Sequence, residues 1–459
     1  MASRRKFLKA SAAALAVAAA RPAYAFQGAN SRIRMAVIGC GNRSARVFDA
    51  FARQKEVQWV AGCEVNQDKL ASFMTPARKT FNLEIVEDYR RILDRNDIDA
   101  VLIGGPDFSH ARMTIDAIAA GKDVYVEKPA TNTIPRLNAM MAAYEKSDRI
   151  VQVGTQQRSW DHFAEAKKIL DSGVLGPIRH IQIVQPGNYS RPAEDPQPVP
   201  PGLNWDLWQL KGMELGAPER PFKPSRLAFR GWYEYGSGLI GDWGAHHIDV
   251  AHWFMNADNK VPKKTAAVGN FMVQQNPDPE QVPDTFSISW EYDDFVMTFA
   301  NGEVPRDPED GEGWGVFFIS GSGTLLVNRM GYAVLPPVPR TIRKQGPPPP
   351  PTAGGVQIAE TPAAAGPQGG RMGGPGGGRG GAKPVEKQVY INPRGGVEED
   401  YPLDAHVRNF LDCMASRQKP NASMEIGYHA ALPALLALES LKSGKMLGWD
   451  AQKREPVVL

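Results

Sequence analysis

The sequence predicts an α/β fold in two domains, the first a parallel sheet interleaved with helices, the second an α/β unit richer in strands. Three observations carry this. The apolar run Ile33–Ile38 ends in Gly39-Cys40-Gly41-Asn42-Arg43-Ser44 and passes into a segment, 45–53, whose apolar residues have helical spacing. Strand-like and helical runs then alternate as far as Val153, the pattern of a sheet wound between helices. Beyond Gly154 strand-like runs follow one another, at 178–185, 264–273, 285–292, 295–301, 315–320 and 323–328, and helical runs at 404–416 and 428–443 close the chain. A length of 459 residues, 42% of them hydrophobic, exceeds one ordinary domain and suffices for two cores. The net charge of +3 is too small for this length to serve a polyanion, so nucleic acid is excluded as a partner. Three cysteines, Cys40, Cys63 and Cys413, make no disulfide framework.

The first strand, glycine turn and helix form a dinucleotide-binding fingerprint of the Rossmann type. Gly39 permits a tight turn, Gly41 lets backbone approach a pyrophosphate, and the helix start at Asn42 and Arg43 offers N–H groups to the phosphate charge. Ser44 stands where a third Gly or Ala is usual and is small enough for helix–strand packing. A second strand, 57–63, ends at Glu64, 25 residues after Gly39, placed to accept hydrogen bonds from the adenosine ribose hydroxyls and to repel a 2′-phosphate. NAD is therefore expected over NADP, although Arg43 offers a charge that could pair with a 2′-phosphate. Helices are expected over 68–81 and 89–94. The strand 100–103 closes on Gly104-Gly105-Pro106-Asp107, with His110 opening the next helix, and the strand 123–126 closes on Glu127-Lys128-Pro129. Ligands collect outside the carboxyl ends of such strands, so Pro106, His110, Glu127 and Lys128 join Gly39, Gly41, Asn42, Arg43 and Glu64 as candidate cofactor contacts.

At the N-terminus, Ser3-Arg4-Arg5-Lys6-Phe7-Leu8-Lys9, an alanine-rich run over 10–20 and the small-residue site Ala23-Tyr24-Ala25 resemble a twin-arginine signal peptide, residues 1–25. The alanine run is shorter than the roughly 20 residues of a membrane span. The resemblance implies passage through the twin-arginine export machinery to the periplasm, a route that carries folded proteins with their cofactor inserted. Tightly bound NAD is expected from this.

Three blocks, Gly39 to Ser44, Glu127-Lys128-Pro129, and Gly238-Leu239-Ile240-Gly241-Asp242-Trp243-Gly244-Ala245-His246-His247-Ile248-Asp249, resemble in order and separation the glucose-fructose oxidoreductase, inositol dehydrogenase and MocA family (Gfo/Idh/MocA). The resemblance implies a Rossmann domain over 26–154, and over 155–344 and 384–459 an α/β domain with a large, mostly antiparallel sheet that often forms a homo-oligomer interface. It implies hydride transfer between NAD and a carbohydrate alcohol, with His246 as base, Asp242 orienting it or binding substrate, and Lys128 polarising the reacting oxygen. Spacing adds that Asp242 and His246, four residues apart, would share one face of a helix. A neutral histidine suits removal of a hydroxyl proton. His246 and Asp249 could share a metal, but a third ligand is not marked, so no metal is expected; His247 and His252 read as structural. A glycosidase using NAD in transient oxidation and elimination is the alternative, and some relatives of this fold resemble that description.

Residues 188–235 are dense in Trp, Tyr, Arg and Pro, including Tyr189, Trp205, Trp208, Arg230 and Trp232, a composition suited either to stacking on sugar rings or to an ordinary core. Between Gln345 and Lys383, 13 Gly and 8 Pro fill the segment, which reads as a disordered insert because it has too little apolar surface to offset chain entropy.

Overall fold

The computed structural model describes residues 32–301, 313–337, 388–391 and 403–459. The signal expected at 1–25 and the insert expected at 345–383 lie outside the described residues. The first sheet contains β1 (Ile33–Ile38), β2 (Val57–Cys63), β3 (Glu84–Val86), β4 (Ala100–Ile103), β5 (Asp123–Val126) and β6 (Val151–Val153), in the order β3-β2-β1-β4-β5-β6, every pair parallel. β4 and β5 are buried at every position. Helices cover both faces, which is why these strands show no polar alternation. Strand order reverses between β1 and β4, so the loops after them diverge and open a crevice at the carboxyl edge.

The helix expected over 68–81 is broken into Gln67–Phe73 and Pro76–Lys79. Pro76 has no N–H to donate, and Thr75 before it is extended at ψ 161, its hydroxyl accepting from the Arg78 N–H. A second difference concerns the domain boundary. The helix Leu403–Ser416, placed with the second domain by sequence, lays Leu403, Val407, Phe410 and Leu411 on the nucleotide-domain core beside Phe51, Trp59 and Tyr125. Charge pairs fasten it there, Arg417 gripping Asp123 at 2.7 Å. An amphipathic helix shows that it has an apolar face, but not which of two domains covers that face.

Among the described residues the second sheet has ten strands: β7 (His180–Val184), β8 (Lys264–Asn270), β9 (Thr285–Glu291), β10 (Val296–Ala300), β11 (Gly315–Ile319), β12 (Thr324–Asn328), β13 (Gly331–Leu335), β14 (Gln388–Ile391), β15 (Leu447–Asp450) and β16 (Glu455–Val458). Their order is β14-β13-β12-β11-β7-β10-β9-β8-β15-β16, and β7–β10 is the parallel pair in an otherwise antiparallel sheet. On β9, Phe286, Ile288 and Trp290 point inward and alternate with Ser287 and Ser289 on the outer face. The inner face packs under the helices Gly244–Phe254 and Met424–Ser443, and the Trp290 indole donates to the Pro433 carbonyl at 3.0 Å. The helix Gly244–Phe254 thereby runs from the sheet toward the crevice of the first domain.

Candidate active site

The crevice begins at the glycine turn. Gly39 has φ +87, and a Cβ there would lie 2.8 Å from the Gly105 nitrogen, so turn and β4 loop can approach only with glycine. A Cβ on Gly41 would meet nothing within 4 Å, because it faces the open groove. The helix Asn42–Ala52 starts there with no side-chain cap, leaving its first N–H groups for an anion. Ser44, fully buried, donates from Oγ to the Gly104 carbonyl at 3.2 Å, which is how this sequence closes helix against strand without a third glycine.

Glu64 lines the groove at the end of β2, and its carboxylate also accepts from the backbone N–H of Cys40 at 2.7 Å and of Val65 and Asn66 at 3.0 Å. Burial pushes its pKa up, and the three N–H donors oppose that. Arg43 does not turn toward Glu64. Its Nε donates to Glu127 Oε1 at 2.9 Å, at the other end of the groove, so it is not held where a 2′-phosphate would sit. Glu127 in turn rests on Gly154, where a Cβ would lie 2.7 Å from its Oε1. Pro106 lines the Glu64 end. His110 touches the cleft, but both its nitrogens face carbonyls, Pro129 at 2.8 Å and Gly105 at 2.9 Å, so it braces the two loops and offers a ligand no free nitrogen. Replacing Glu64 by Ala is expected to weaken NAD about tenfold to a hundredfold and narrow its advantage over NADP, measured by titration of protein fluorescence with each dinucleotide.

At the opposite end, Lys128, Asp242 and His246 line one cleft with Tyr189, Arg230 and Arg329. Lys128 follows β5, where the peptide to Pro129 is cis. Its Nζ donates to Asp242 Oδ1 at 2.5 Å and to the Asp242 carbonyl at 3.2 Å. Arg230 Nε donates to the same carboxylate oxygen at 3.0 Å and the Tyr189 hydroxyl to the other at 2.5 Å. Burial alone would raise the Asp242 pKa, but Lys128 and Arg230 outweigh it and hold this carboxyl below the usual carboxylate range.

His246 is not bonded to Asp242. Asp242 ends one short helix, Gly238–Asp242, and His246 lies in the next, Gly244–Phe254, with Trp243 between them, so the expected single helical face is interrupted. Arg329 Nη2 instead donates to His246 Nε2 at 3.1 Å, which places the ring proton on Nδ1, an atom without a partner. Burial, reinforced by Lys128, Arg329 and Arg43, keeps the His246 pKa well below the ordinary imidazole value, so the ring is neutral and able to accept a proton. Asp249 is committed elsewhere, to Arg158 at 2.8 Å, while His247 bonds Gln185 and His252 bonds Tyr292. Among the described residues no group of three His, Cys, Asp or Glu is placed to hold a metal, and no helix is long and apolar enough to cross a membrane.

Sequence reasoning named Tyr189 and Arg230 only within an aromatic, arginine-rich stretch, and the structure separates their roles. Tyr189 and Arg230 reach Asp242, whereas Trp205 and Trp208 stack on one another at 4.6 Å and Trp232 is buried. Arg329 was not singled out, because it comes from the β12–β13 turn, 83 residues from His246. Asp107 closes the loop after β4 and lines the same cleft. It is buried there with Oδ2 unpartnered, and burial raises its pKa to about 7 against the pull of Arg230 and Lys128.

A groove with a ribose acceptor and an open phosphate cradle at one end, and a lysine, a carboxylate and a neutral imidazole at the other, fits a dinucleotide whose redox ring meets a substrate alcohol. That defines the class, a nicotinamide-dependent oxidoreductase. Two family models agree: the oxidoreductase family's NAD-binding Rossmann fold matches residues 33–155, and its C-terminal alpha/beta domain matches 161–331. The chain belongs to the Gfo/Idh/MocA oxidoreductase family, and its first domain is that family's NAD-binding Rossmann domain. An inositol 2-dehydrogenase from Gluconacetobacter diazotrophicus is 31% identical over 206 residues, which cover 43% of this chain and 60% of the relative. A scyllo-inositol 2-dehydrogenase (NAD(+)) from Bacillus subtilis is 26% identical over 199 residues, covering 43% and 46%. The chain spans about half the length of the curated relatives it matches. A levoglucosan dehydrogenase, solved with NADH and levoglucosan, shares the fold over 91% of this chain and 99% of its own, with a TM-score of 0.59 at 17% identity.

Proposed function

We propose that the protein is an exported NAD-dependent oxidoreductase that moves a hydride between nicotinamide and a secondary alcohol of a sugar, glycoside or cyclic polyol. The observation that carries this reading is the meeting of Lys128, Asp242 and neutral His246 at one end of a groove whose other end presents Glu64. Bound NAD supplies the hydride acceptor. Lys128 Nζ faces the reacting oxygen and favours negative charge as it develops there. Asp242 fixes that ammonium, and Arg230 and Tyr189 fix Asp242. His246 takes the hydroxyl proton at Nε2 as the substrate hydroxyl displaces the Arg329 N–H from that lone pair, and the imidazolium then carries protons on both nitrogens. A polyol substrate is supported by the relatives named for inositol and levoglucosan, and by a cleft that sets Phe229 and Trp243 among hydrogen-bonding side chains.

The paired arginines of the N-terminus support delivery to the periplasm, where no soluble NAD pool is available for exchange, so the cofactor is loaded before export and kept. The outer face of the large sheet, with Val268 and Val296 exposed beside Ser287 and Ser289, supports homo-oligomerisation through that face. The test is protein purified from the periplasm without added cofactor, denatured, with released nicotinamide quantified per chain, followed by a panel of sugars, polyols and aryl glycosides watched for bound NADH. Near-stoichiometric nicotinamide and reduction by a polyol are expected; empty protein inert to every alcohol would overturn the reading.

A second reading, the NAD-dependent glycosidase, is favoured by one observation. Elimination next to an oxidised sugar carbon needs a further acid–base group, and Asp107 is a buried carboxyl in the same cleft with a pKa of about 7. Under that reading Asp107→Asn abolishes release of an aryl aglycone while reduction of bound NAD by the glycoside continues.

A further inference from the structure

The Glu64 end of the groove has a second wall that does not come from the nucleotide-binding domain. Leu207, Trp208, Leu227 and Phe229, all beyond β7 in the chain, line the same cavity as Ile38, Glu64, Val65 and Pro106. We infer that the second domain's segment 203–229 forms the adenine-binding wall of the NAD site and is the element that keeps the cofactor from leaving.

The segment is tied down directly beside the ribose acceptor. The Gln67 N–H donates to the Gly202 carbonyl at 2.8 Å and the Asn204 N–H to the Val65 carbonyl at 2.9 Å, so Leu203 and Asn66 form an antiparallel bridge one turn of chain after Glu64. Gly202 has φ +82, and its Cβ would lie 3.2 Å from Gln67 Cβ, so this approach needs glycine. Further along, Arg136 of the first domain donates to the carbonyls of Leu215 at 2.8 Å and Gly216 at 2.6 Å, and the Phe108 N–H donates to the Tyr235 carbonyl at 3.2 Å. Trp208 is held between Trp205, Tyr235 and Phe108. These contacts tie the wall to the first domain without any ligand, so binding need not order it as it would a free lid. Its chemistry selects the ligand half. Away from the glycine turn the cavity is apolar apart from Glu64, Asn66, Ser109 and Lys69, which suits the flat faces of a purine with its ribose at the Glu64 carboxylate and its phosphates at the turn, and does not suit a polyol.

The test rests on NAD being the cofactor. Leu207 and Leu227 are only half-buried, so the double variant Leu207→Ala/Leu227→Ala spares the aromatic core around Trp208. Its circular dichroism and Tm serve as the folding control. Dissociation constants for NAD, AMP and nicotinamide mononucleotide are measured by calorimetry on both proteins stripped of nucleotide, and retained nicotinamide is measured after long dialysis of the untreated ones. A tenfold to hundredfold loss of NAD and AMP affinity is expected, with nicotinamide mononucleotide unchanged and retention falling several-fold. Equal affinities in variant and parent, or equal losses of AMP and nicotinamide mononucleotide, would overturn the wall. A parent that binds neither NAD nor AMP would instead overturn the cofactor, and the wall with it. Should the double variant not fold, Leu207→Ala alone, which lines the Glu64 cavity and not the Lys128 cleft, is read in the same way.

Discussion

Lys128→Ala is expected to lower turnover by about two to four orders of magnitude while NAD affinity stays within several-fold of the parent. The ammonium sits 2.5 Å from Asp242 Oδ1 at the carboxyl end of β5, whereas the adenosine end of the groove is built from the loops after β1, β2 and β4 and from the segment 203–229, none of which holds Lys128. Its removal takes away the positive charge facing the reacting oxygen and leaves Asp242 with Arg230 and Tyr189. The buried carboxylate keeps one cationic partner, so the fold survives with a modest loss of Tm. Single-turnover reduction of bound NAD, compared with binding titration, separates the two effects. Turnover within a factor of three of the parent would remove Lys128 from the chemistry.

His246→Asn is expected to cost a similar two to four orders of magnitude, and its pH profile identifies the role. A general base must be unprotonated to act. The His246 pKa is depressed by burial and by Lys128, Arg329 and Arg43, so the ring is already neutral where an ordinary imidazole, pKa about 6.5, would be half protonated. In the parent, activity should therefore stay flat as pH falls through that value and decline only below it. The asparagine variant should lose this acid limb along with its rate. A limb near the ordinary imidazole pKa that disappears in the asparagine variant would mean that His246 titrates as an exposed group and is not the base buried behind Arg329, whereas a limb that persists in the variant belongs to Asp107, whose pKa is about 7.

The contrast between Asp242 and His246 shows where sequence spacing stops. Four residues apart, they read as neighbours on one helix, and the structure does bring both to one cleft. The helix is interrupted at Trp243, though, and each side chain finds its partner from far along the chain: Lys128, Tyr189 and Arg230 for Asp242, Arg329 for His246. Spacing fixes which residues share a helix face only while the helix continues, and it carries no record of long-range pairs.

What the sequence alone determined was local or periodic. The strand, glycine turn and helix from Ile33, the acidic residue closing β2, the Glu127-Lys128-Pro129 loop and the alternation of a doubly wound sheet all follow from neighbouring residues and hydrophobic period. Short or edge strands such as β3 and β14 carry too few residues for a period to register. Tertiary structure alone decided the assignments between surfaces that look alike in one dimension. It laid the helix Leu403–Ser416 on the first domain, turned Arg43 toward Glu127 and away from Glu64, left Asp107 Oδ2 without a partner, and folded an aromatic stretch of the second domain against the end of β2. The physical reason is the same in each case: an apolar face or a charge states only that it needs a partner, and the three-dimensional packing of two domains decides which partner lies within reach.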